Sequence, residues 1–303
     1  MVGVAYGVRL EGDFPLNDLP LATPTGPWIK LEVQRPLVIP SHSGILLASH
    51  QTAGRTLNWI THSEDCLVVR FDDSFCFELW FSSNRICCYA VAEVPYLLLR
   101  YWILQQILPI FLILSGSFEF LHGTAVSTLT LKEGEVPAGS SCIGFHGPSH
   151  VGKSTILSYF LSKGHMLVTD DHLALSSTSV TEVVPSTPFY RPYRGVEDLG
   201  IVAENYSPAP RPLKRIYLLQ PAAADAEVSL EELSESEAVW TFLKDTQYVW
   251  MDESIPGSLS LAARRFRNLS HLTRQVPVLR LHVPRSMERL EEVYDFVRKD
   301  LEA

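Results

Sequence analysis

Short apolar runs separated by polar turn residues dominate the first third of the chain. Three of these runs are rich in β-branched and aromatic residues: 66–71, 75–81 and 85–91. Polar triplets at 72–74 and 82–84 separate them, which is typical of tight turns between strands. The pattern therefore predicts an antiparallel, mostly β N-terminal domain over residues 1–95, and nothing in that stretch indicates its role.

A continuous apolar stretch, Tyr96–Leu114, has the length of a membrane span. Four residues interrupt its apolar character: Arg100, Gln105, Gln106 and Pro109. Because polar groups are costly in hydrocarbon, we expect a buried helix instead. We place this helix at the start of a second domain, 96–303, and expect a cytoplasmic protein without a membrane partner.

The pattern changes after residue 140 to alternating strand and helix. The apolar run 142–146 predicts a buried strand, and apolar positions at 156, 157, 160 and 161 predict one face of a helix. Gly164 fits the glycine that follows a helix, and 166–168 predicts the next strand. A βαβ-like unit of this kind predicts an α/β fold. The Ser- and Pro-rich stretch 176–212 then predicts a long loop of the type that often forms a lid.

Composition narrows the classes of partner. The net charge is −9, and no lysine-rich run is present, which argues against nucleic acid or an anionic membrane as the main partner. The five cysteines form no C-x-x-C pair, so a disulfide framework or a structural zinc site is not expected.

One motif carries specific chemistry: residues 147–154, GPSHVGKS, match G-x-x-x-x-G-K-[ST] in full. Glycines let the backbone wrap around phosphates, and the following helix directs its positive end at them. In this pattern Lys153 binds the β- and γ-phosphates and the Ser154 hydroxyl ligates Mg²⁺, so ATP and Mg²⁺ are the predicted cofactors. The predicted nucleotide-binding residues are Gly147, Pro148, Ser149, His150, Val151, Gly152, Lys153, Ser154 and Thr155.

Two aspartates, Asp170 and Asp171, end the strand that follows the predicted helix. Carboxylates at such a place can hold Mg²⁺ or accept a proton from an attacking hydroxyl. The alternative is a simple strand-end turn, where aspartate is common.

The stretch 144–175 resembles the core of the HPr kinase/phosphorylase catalytic domain. The shared features are the P-loop and its helix, Gly164-His165, the double aspartate, and His122-Gly123 on an earlier strand. The resemblance implies an α/β fold with a P-loop kinase core related to phosphoenolpyruvate carboxykinase. It also implies transfer of phosphate from ATP to a protein serine. In that reaction Asp170 would accept the proton, Asp171 would sit beside it at the metal, Lys153 would bind phosphate, and His122 would line the site.

Several positions depart from the family. His150 stands where the family has glycine, and Thr155 stands where it has an acidic residue. The family's Arg-Gly-Leu-Gly-Ile loop, tied to the reverse reaction, is matched loosely by Arg194-Gly195 and Leu199-Gly200-Ile201. The layout of the whole chain is similar to a divergent branch, the HPr-kinase-like enzymes that phosphorylate lasso-peptide precursors.

Three functions follow from these patterns. The first is a kinase that phosphorylates a serine on a small protein or peptide. The alternatives are a kinase for a small metabolite and a non-catalytic, ATP-gated binding protein. Catalysis is favoured because the chain has Lys153, Ser154, Asp170 and Asp171 together. A protein that only binds ATP needs no proton acceptor. The acceptor's identity and a homo-oligomeric state are left open.

Overall fold

The computed structural model describes residues 2–21, 28–52, 54–131, 140–176, 179–193, 195, 197–244 and 258–302. These residues form a mixed α/β protein with two compact units. The N-terminal unit contains the chain up to Gly116 together with 195, 197–199 and 258–261, the last being the first turn of a helix that continues into the C-terminal unit. The C-terminal unit contains most of the remainder. The two units divide after Gly116, later in the chain than the domain boundary predicted after residue 95.

One eight-stranded sheet makes up most of the N-terminal unit. Its strands are β1 (Val2–Ala5), β2 (Val8–Gly12), β3 (Trp28–Gln34), β4 (Ile45–Thr52), β5 (Arg55–Ser63), β6 (Cys66–Phe71), β7 (Phe75–Trp80) and β8 (Arg85–Ala90). Strands β4 to β8 form an antiparallel meander, while β3 pairs in parallel with β2 and β8. The three strands predicted from apolar runs and their antiparallel order are thus confirmed.

The apolar stretch after this sheet is helical throughout. Helix α1 (Tyr96–Trp102) leads into a π-helical turn, Ile103–Ile107, and then into helix α2 (Leu108–Leu114). The stretch has the length and hydropathy of a membrane span, but 67% of its most apolar 18-residue segment is buried inside the protein. The predicted buried helix is therefore confirmed, and the N-terminal unit holds it.

Proline explains the π-helical turn. The Leu108 N–H donates to the Ile103 carbonyl, a bond that spans five residues. The next such bond would run from Pro109 to Leu104, but proline has no N–H. The Tyr6 hydroxyl donates to the Leu104 carbonyl instead, at 3.1 Å. A side chain from the turn between β1 and β2 thus satisfies the carbonyl that the proline leaves without a helical donor.

Ten strands and most of the longer helices belong to the C-terminal unit. The strands are β9 (Phe118–Thr130), β10 (Cys142–His146), β11 (His165–Thr169), β12 (His172–Ser176), β13 (Ser179–Val184), β14 (Phe189–Tyr190), β15 (Ile201–Val202), β16 (Arg211–Ala222), β17 (Ser229–Glu232) and β18 (Val278–Pro284). The helices are α3 (Lys153–Ser162), α4 (Glu235–Lys244), α5 (Ser258–Gln275) and α6 (Leu290–Glu302), with a 3₁₀ turn at Met287–Arg289.

Parallel strands form the middle of this unit's sheet. Strand β16 pairs in parallel with β10 on one side and β18 on the other. Helices cover both faces: Ile216 packs in a cluster with Phe242 of α4, and Tyr217 packs in a second cluster with Phe160 of α3. Adjacent strand residues face opposite sides, so one apolar run fills both cores.

The strand, helix and strand predicted around residues 147–154 are confirmed as β10, α3 and β11, and β9 lies between the two strands in the sheet. Strand β11 pairs with β9 and not with β10, so antiparallel β9 separates two strands that run in the same direction. Ser234 and Glu237 have the S-x-x-E spacing that predicts a capping box at the start of a helix. One forms at α4, because the Ser234 N–H donates to Glu237 Oε2 at 3.0 Å. The long loop predicted over 176–212 is wrong in part, since three strands form within it. Strand β13 pairs with β12 and β16, and β14 and β15 pair with each other.

Candidate functional site

The glycine motif forms the turn between strand β10 and helix α3. Three of its residues have positive φ: Gly147 at 152°, His150 at 68° and Gly152 at 108°. A Cβ on Gly147 would lie 3.0 Å from Val151 Cγ1, so glycine suits the first position for steric reasons as well. His150 takes a left-handed conformation, which histidine tolerates, so the loop keeps its turn without a glycine at this position.

Lys153 points back over the start of this loop. Its side chain is buried, with 8% of the residue exposed, and its Nζ donates to the carbonyls of Gly147 at 2.6 Å and Pro148 at 2.9 Å. Ser154 and Thr155 follow in the first turn of α3, which contains no acidic residue. The ammonium and the N–H groups of that turn therefore create a positive region suited to phosphate.

The two aspartates connect β11 to β12 in a tight turn. Asp171 has a φ of 68°, a conformation that aspartate adopts more easily than most residues. Its N–H donates to Asp170 Oδ1 at 2.9 Å, and the Thr124 hydroxyl donates to the Thr169 carbonyl at 2.8 Å. These bonds fix the turn against β9.

Strand β9 brings the glycine motif and the aspartate turn together. On one edge of β9, Gly123 lies opposite His146, the residue before the motif. On the other edge, His122 lies opposite His172, the residue after the aspartates. Because neighbouring strands are about 4.8 Å apart, the two turns are separated by roughly 10 Å at this level of the sheet. A Cβ on Gly123 would lie 2.8 Å from the Phe145 carbonyl oxygen, which explains the glycine here.

Asp171 is held as a carboxylate by two basic side chains. Its Oδ1 lies 3.4 Å from His122 Nε2, and its Oδ2 forms an ion pair with the Arg191 guanidinium. Burial alone would raise the pKa of Asp171, but the hydrogen bond to His122 and the positive charge of Arg191 hold that pKa well below its usual range.

Asp170 is different from its neighbour and more deeply buried, since 6% of this residue is exposed, whereas the Asp171 side chain is 20% exposed. Burial and the charge of Asp171 raise the pKa of Asp170 to about 6, against a smaller opposing effect of the Arg191 N–H that donates to Oδ2 at 2.9 Å. A carboxyl group that titrates near neutral pH is suited to proton transfer. The pair thus separates into one fixed anion and one group that can accept a proton.

The main residue that sequence reasoning missed at this site is Arg191. The sequence placed it in the predicted lid together with two other arginines, with no reason to choose among them. The structure places Arg191 at the aspartates, while Arg211 is buried and bonds to Ser140 and Ser207. Arg194 lies outside the described residues.

The predicted Mg²⁺ ligands are Ser154 and Asp171. Within the described part of the chain, no group of three or more His, Cys, Asp or Glu side chains is arranged to hold a metal ion. Mg²⁺ that binds together with a nucleotide uses only one or two protein oxygens and takes its other ligands from phosphate and water. The Asp171 carboxylate has lone pairs beyond those that face His122 and Arg191.

Comparison with known proteins adds no family assignment. No protein-family model matches this chain, and a search of the curated proteins found no significant match. The fold and site define a mixed α/β protein with a glycine-motif turn beside a buried aspartate pair.

Proposed function

We propose that the protein is an ATP-dependent kinase that transfers the γ-phosphate to a serine hydroxyl of a small protein or peptide. One observation carries the proposal. The glycine motif with Lys153 and the turn with Asp170 lie on opposite edges of β9, at Gly123 and His122. A phosphate-binding cation and a proton acceptor thus flank the same position of the sheet.

The residues divide the reaction between them. The backbone of the glycine motif and Lys153 bind the β- and γ-phosphates, and Lys153 exchanges its loop carbonyls for phosphate oxygens. The serine oxygen bonds to the γ-phosphorus, the bond from that phosphorus to the β-phosphate oxygen breaks, and ADP leaves. Asp170 accepts the proton of the hydroxyl. Mg²⁺, held by Ser154 and Asp171, would neutralise phosphate charge.

The experiment measures the fate of labelled ATP in the presence of three kinds of acceptor. The purified protein is incubated with Mg²⁺ and γ-labelled ATP, and with a pool of serine peptides, a pool of hydroxyl metabolites, or no acceptor. We expect ADP and phosphoserine in the peptide arm. Label in the metabolite arm alone would identify a metabolite kinase, and ATP binding without transfer in any arm would identify a binding protein.

A pair of lysine variants tests the role of the glycine motif. Lys153→Ala should lower transfer by about 10²-fold or more, because it removes a preorganised charge at the phosphates. Lys163→Ala is the matched control, since Lys163 directly follows α3, at the opposite end of that helix from the motif. Its ammonium pairs with Glu291 and lies over the Tyr159 and Tyr294 rings. Equal activity of the wild type and Lys153→Ala would show that the motif does not bind the transferred phosphate.

A further inference from the structure

A small hairpin carries Arg191 to the aspartate pair. Strands β14 and β15 pair at Phe189 with Val202 and at Tyr190 with Ile201, and Arg191 directly follows β14. The next residue is Pro192, and a residue before proline is restricted to extended backbone conformations. Local sequence thus limits the path of the chain at Arg191.

Gly200 makes the close approach within this hairpin possible. Its φ is 88°, and an added Cβ would lie 2.2 Å from the Tyr190 carbonyl oxygen and 2.8 Å from Arg191 Cγ. Any side chain there would push β14, and Arg191 with it, away from its present position. The hairpin register that places Arg191 therefore depends on a glycine nine residues further along the chain.

Arg191 contacts both aspartates with different groups. Its main-chain N–H donates to Asp170 Oδ2 at 2.9 Å, and its guanidinium pairs with Asp171. The arginine and Asp171 side chains are 21% and 20% exposed, so the pair is mostly withdrawn from solvent. A planar guanidinium fixes the direction of a carboxylate better than an ammonium does.

We propose that Arg191 is a positioning residue for phosphoryl transfer, delivered by the β14–β15 hairpin, and this inference rests on the proposed kinase function. It acts through Asp170 and Asp171, which it holds in one arrangement beside the glycine motif. The rival role is a latch, in which Arg191 occupies Asp171 and keeps metal away. The two roles give opposite results when the guanidinium is removed.

The test compares Arg191→Ala and Arg191→Lys with the wild type, using the serine peptide that the wild type phosphorylates fastest. We measure kcat, KM for the peptide, the Kd of Mg²⁺-ATP by calorimetry, and thermal unfolding. For Arg191→Ala we expect kcat to fall about 10²-fold, the scale for a small misplacement of reacting groups, with the Kd of Mg²⁺-ATP changed less than about threefold. Added guanidinium should restore part of kcat, and Arg191→Lys should lie between the wild type and Arg191→Ala.

Arg280→Ala is the matched control, since Arg280 pairs with Glu231 at the surface, and it should keep the wild-type kcat. A wild-type kcat in Arg191→Ala would overturn the positioning role and leave the proposed kinase function unaffected. A higher kcat or tighter Mg²⁺-ATP binding in Arg191→Ala would show that Arg191 acts as a latch.

If the wild type transfers no phosphate, both the kinase function and the positioning role are overturned. If Arg191→Ala does not fold, Arg191→Lys decides: a lower kcat with unchanged Mg²⁺-ATP affinity supports the role, and an unchanged kcat overturns it.

Discussion

Substitution of the two adjacent aspartates should change stability in opposite directions. Asp170→Asn and Asp171→Asn make the same chemical change one residue apart in one turn. At pH 8 we expect Asp170→Asn to stabilise the fold and Asp171→Asn to destabilise it. The reason is that burial has the largest effect on the pKa of Asp170 and raises it. At Asp171 the basic partners His122 and Arg191 together outweigh burial and lower the pKa.

The magnitude for Asp170 follows from its pKa. Burial and the charge of Asp171 raise that pKa from 3.8 to about 6. A shift of about two pKa units corresponds to about 3 kcal/mol, by which the ionised carboxylate destabilises the folded state above pH 6. Well below pH 3.8 the group is protonated in both states, and the effect disappears. Asparagine removes the charge, so its advantage is present at pH 8 and lost as the pH falls.

Lost hydrogen bonds reduce this gain. The N–H groups of Asp171 and Arg191 donate to the Asp170 carboxylate, and asparagine accepts them less well, at a cost of about 1 kcal/mol. The net stabilisation by Asp170→Asn at pH 8 is therefore about 2 kcal/mol. For a unit of this size that corresponds to a rise in Tm of about 4–8 °C.

Asp171 has the opposite linkage. Its pKa is held below the usual range by His122 and Arg191, so the stability that it contributes is present above its ordinary pKa and is lost at lower pH. Asp171→Asn leaves these two side chains beside a neutral amide in a buried site. We expect a loss of about 3 kcal/mol at pH 8, the scale for breaking a buried ion pair.

The assay is thermal unfolding of both variants from pH 5 to 8 in EDTA, so that bound metal has no influence. Transfer is measured in parallel: Asp170→Asn should bind Mg²⁺-ATP but lose about 10²-fold or more in rate. A less stable Asp170→Asn at pH 8, or a difference that does not change with pH, would refute the argument about its carboxyl group. Full rescue of transfer by added Mg²⁺ would show that Asp170 is a metal ligand and not the proton acceptor.

Three further predictions concern other parts of the fold. Glu119→Ala removes the carboxylate that lies 2.8 Å from Arg265, where both side chains are at most 5% exposed. It should lower the free energy of unfolding, measured in urea, by about 3–5 kcal/mol. A loss below about 1 kcal/mol would contradict this prediction. Gly200→Ala should lower kcat as Arg191→Ala does, because it displaces the hairpin; an unchanged kcat would contradict the steric argument. The protein should be recovered without detergent, because the stretch Tyr96–Leu114 is mostly buried; recovery only in the membrane fraction would contradict that reading.

Sequence patterns predicted those features that depend on neighbours in the chain. Strands of the meander follow from apolar runs and turn triplets, and the turn before α3 follows from glycines and a lysine at fixed spacing. The capping box at Ser234 is of the same kind. In each case hydrogen bonds and backbone conformations over a few residues decide the structure, so the sequence alone contains the information.

Only the tertiary structure decided the features that join distant segments. Strand β9 lies between β10 and β11, and the Phe189–Val202 hairpin returns Arg191 to aspartates twenty residues earlier. The different pKa values of Asp170 and Asp171 depend on burial and on charges that these segments bring. Electrostatic effects of this kind depend on distance and solvent exclusion in the folded protein, and residue spacing along the chain specifies neither.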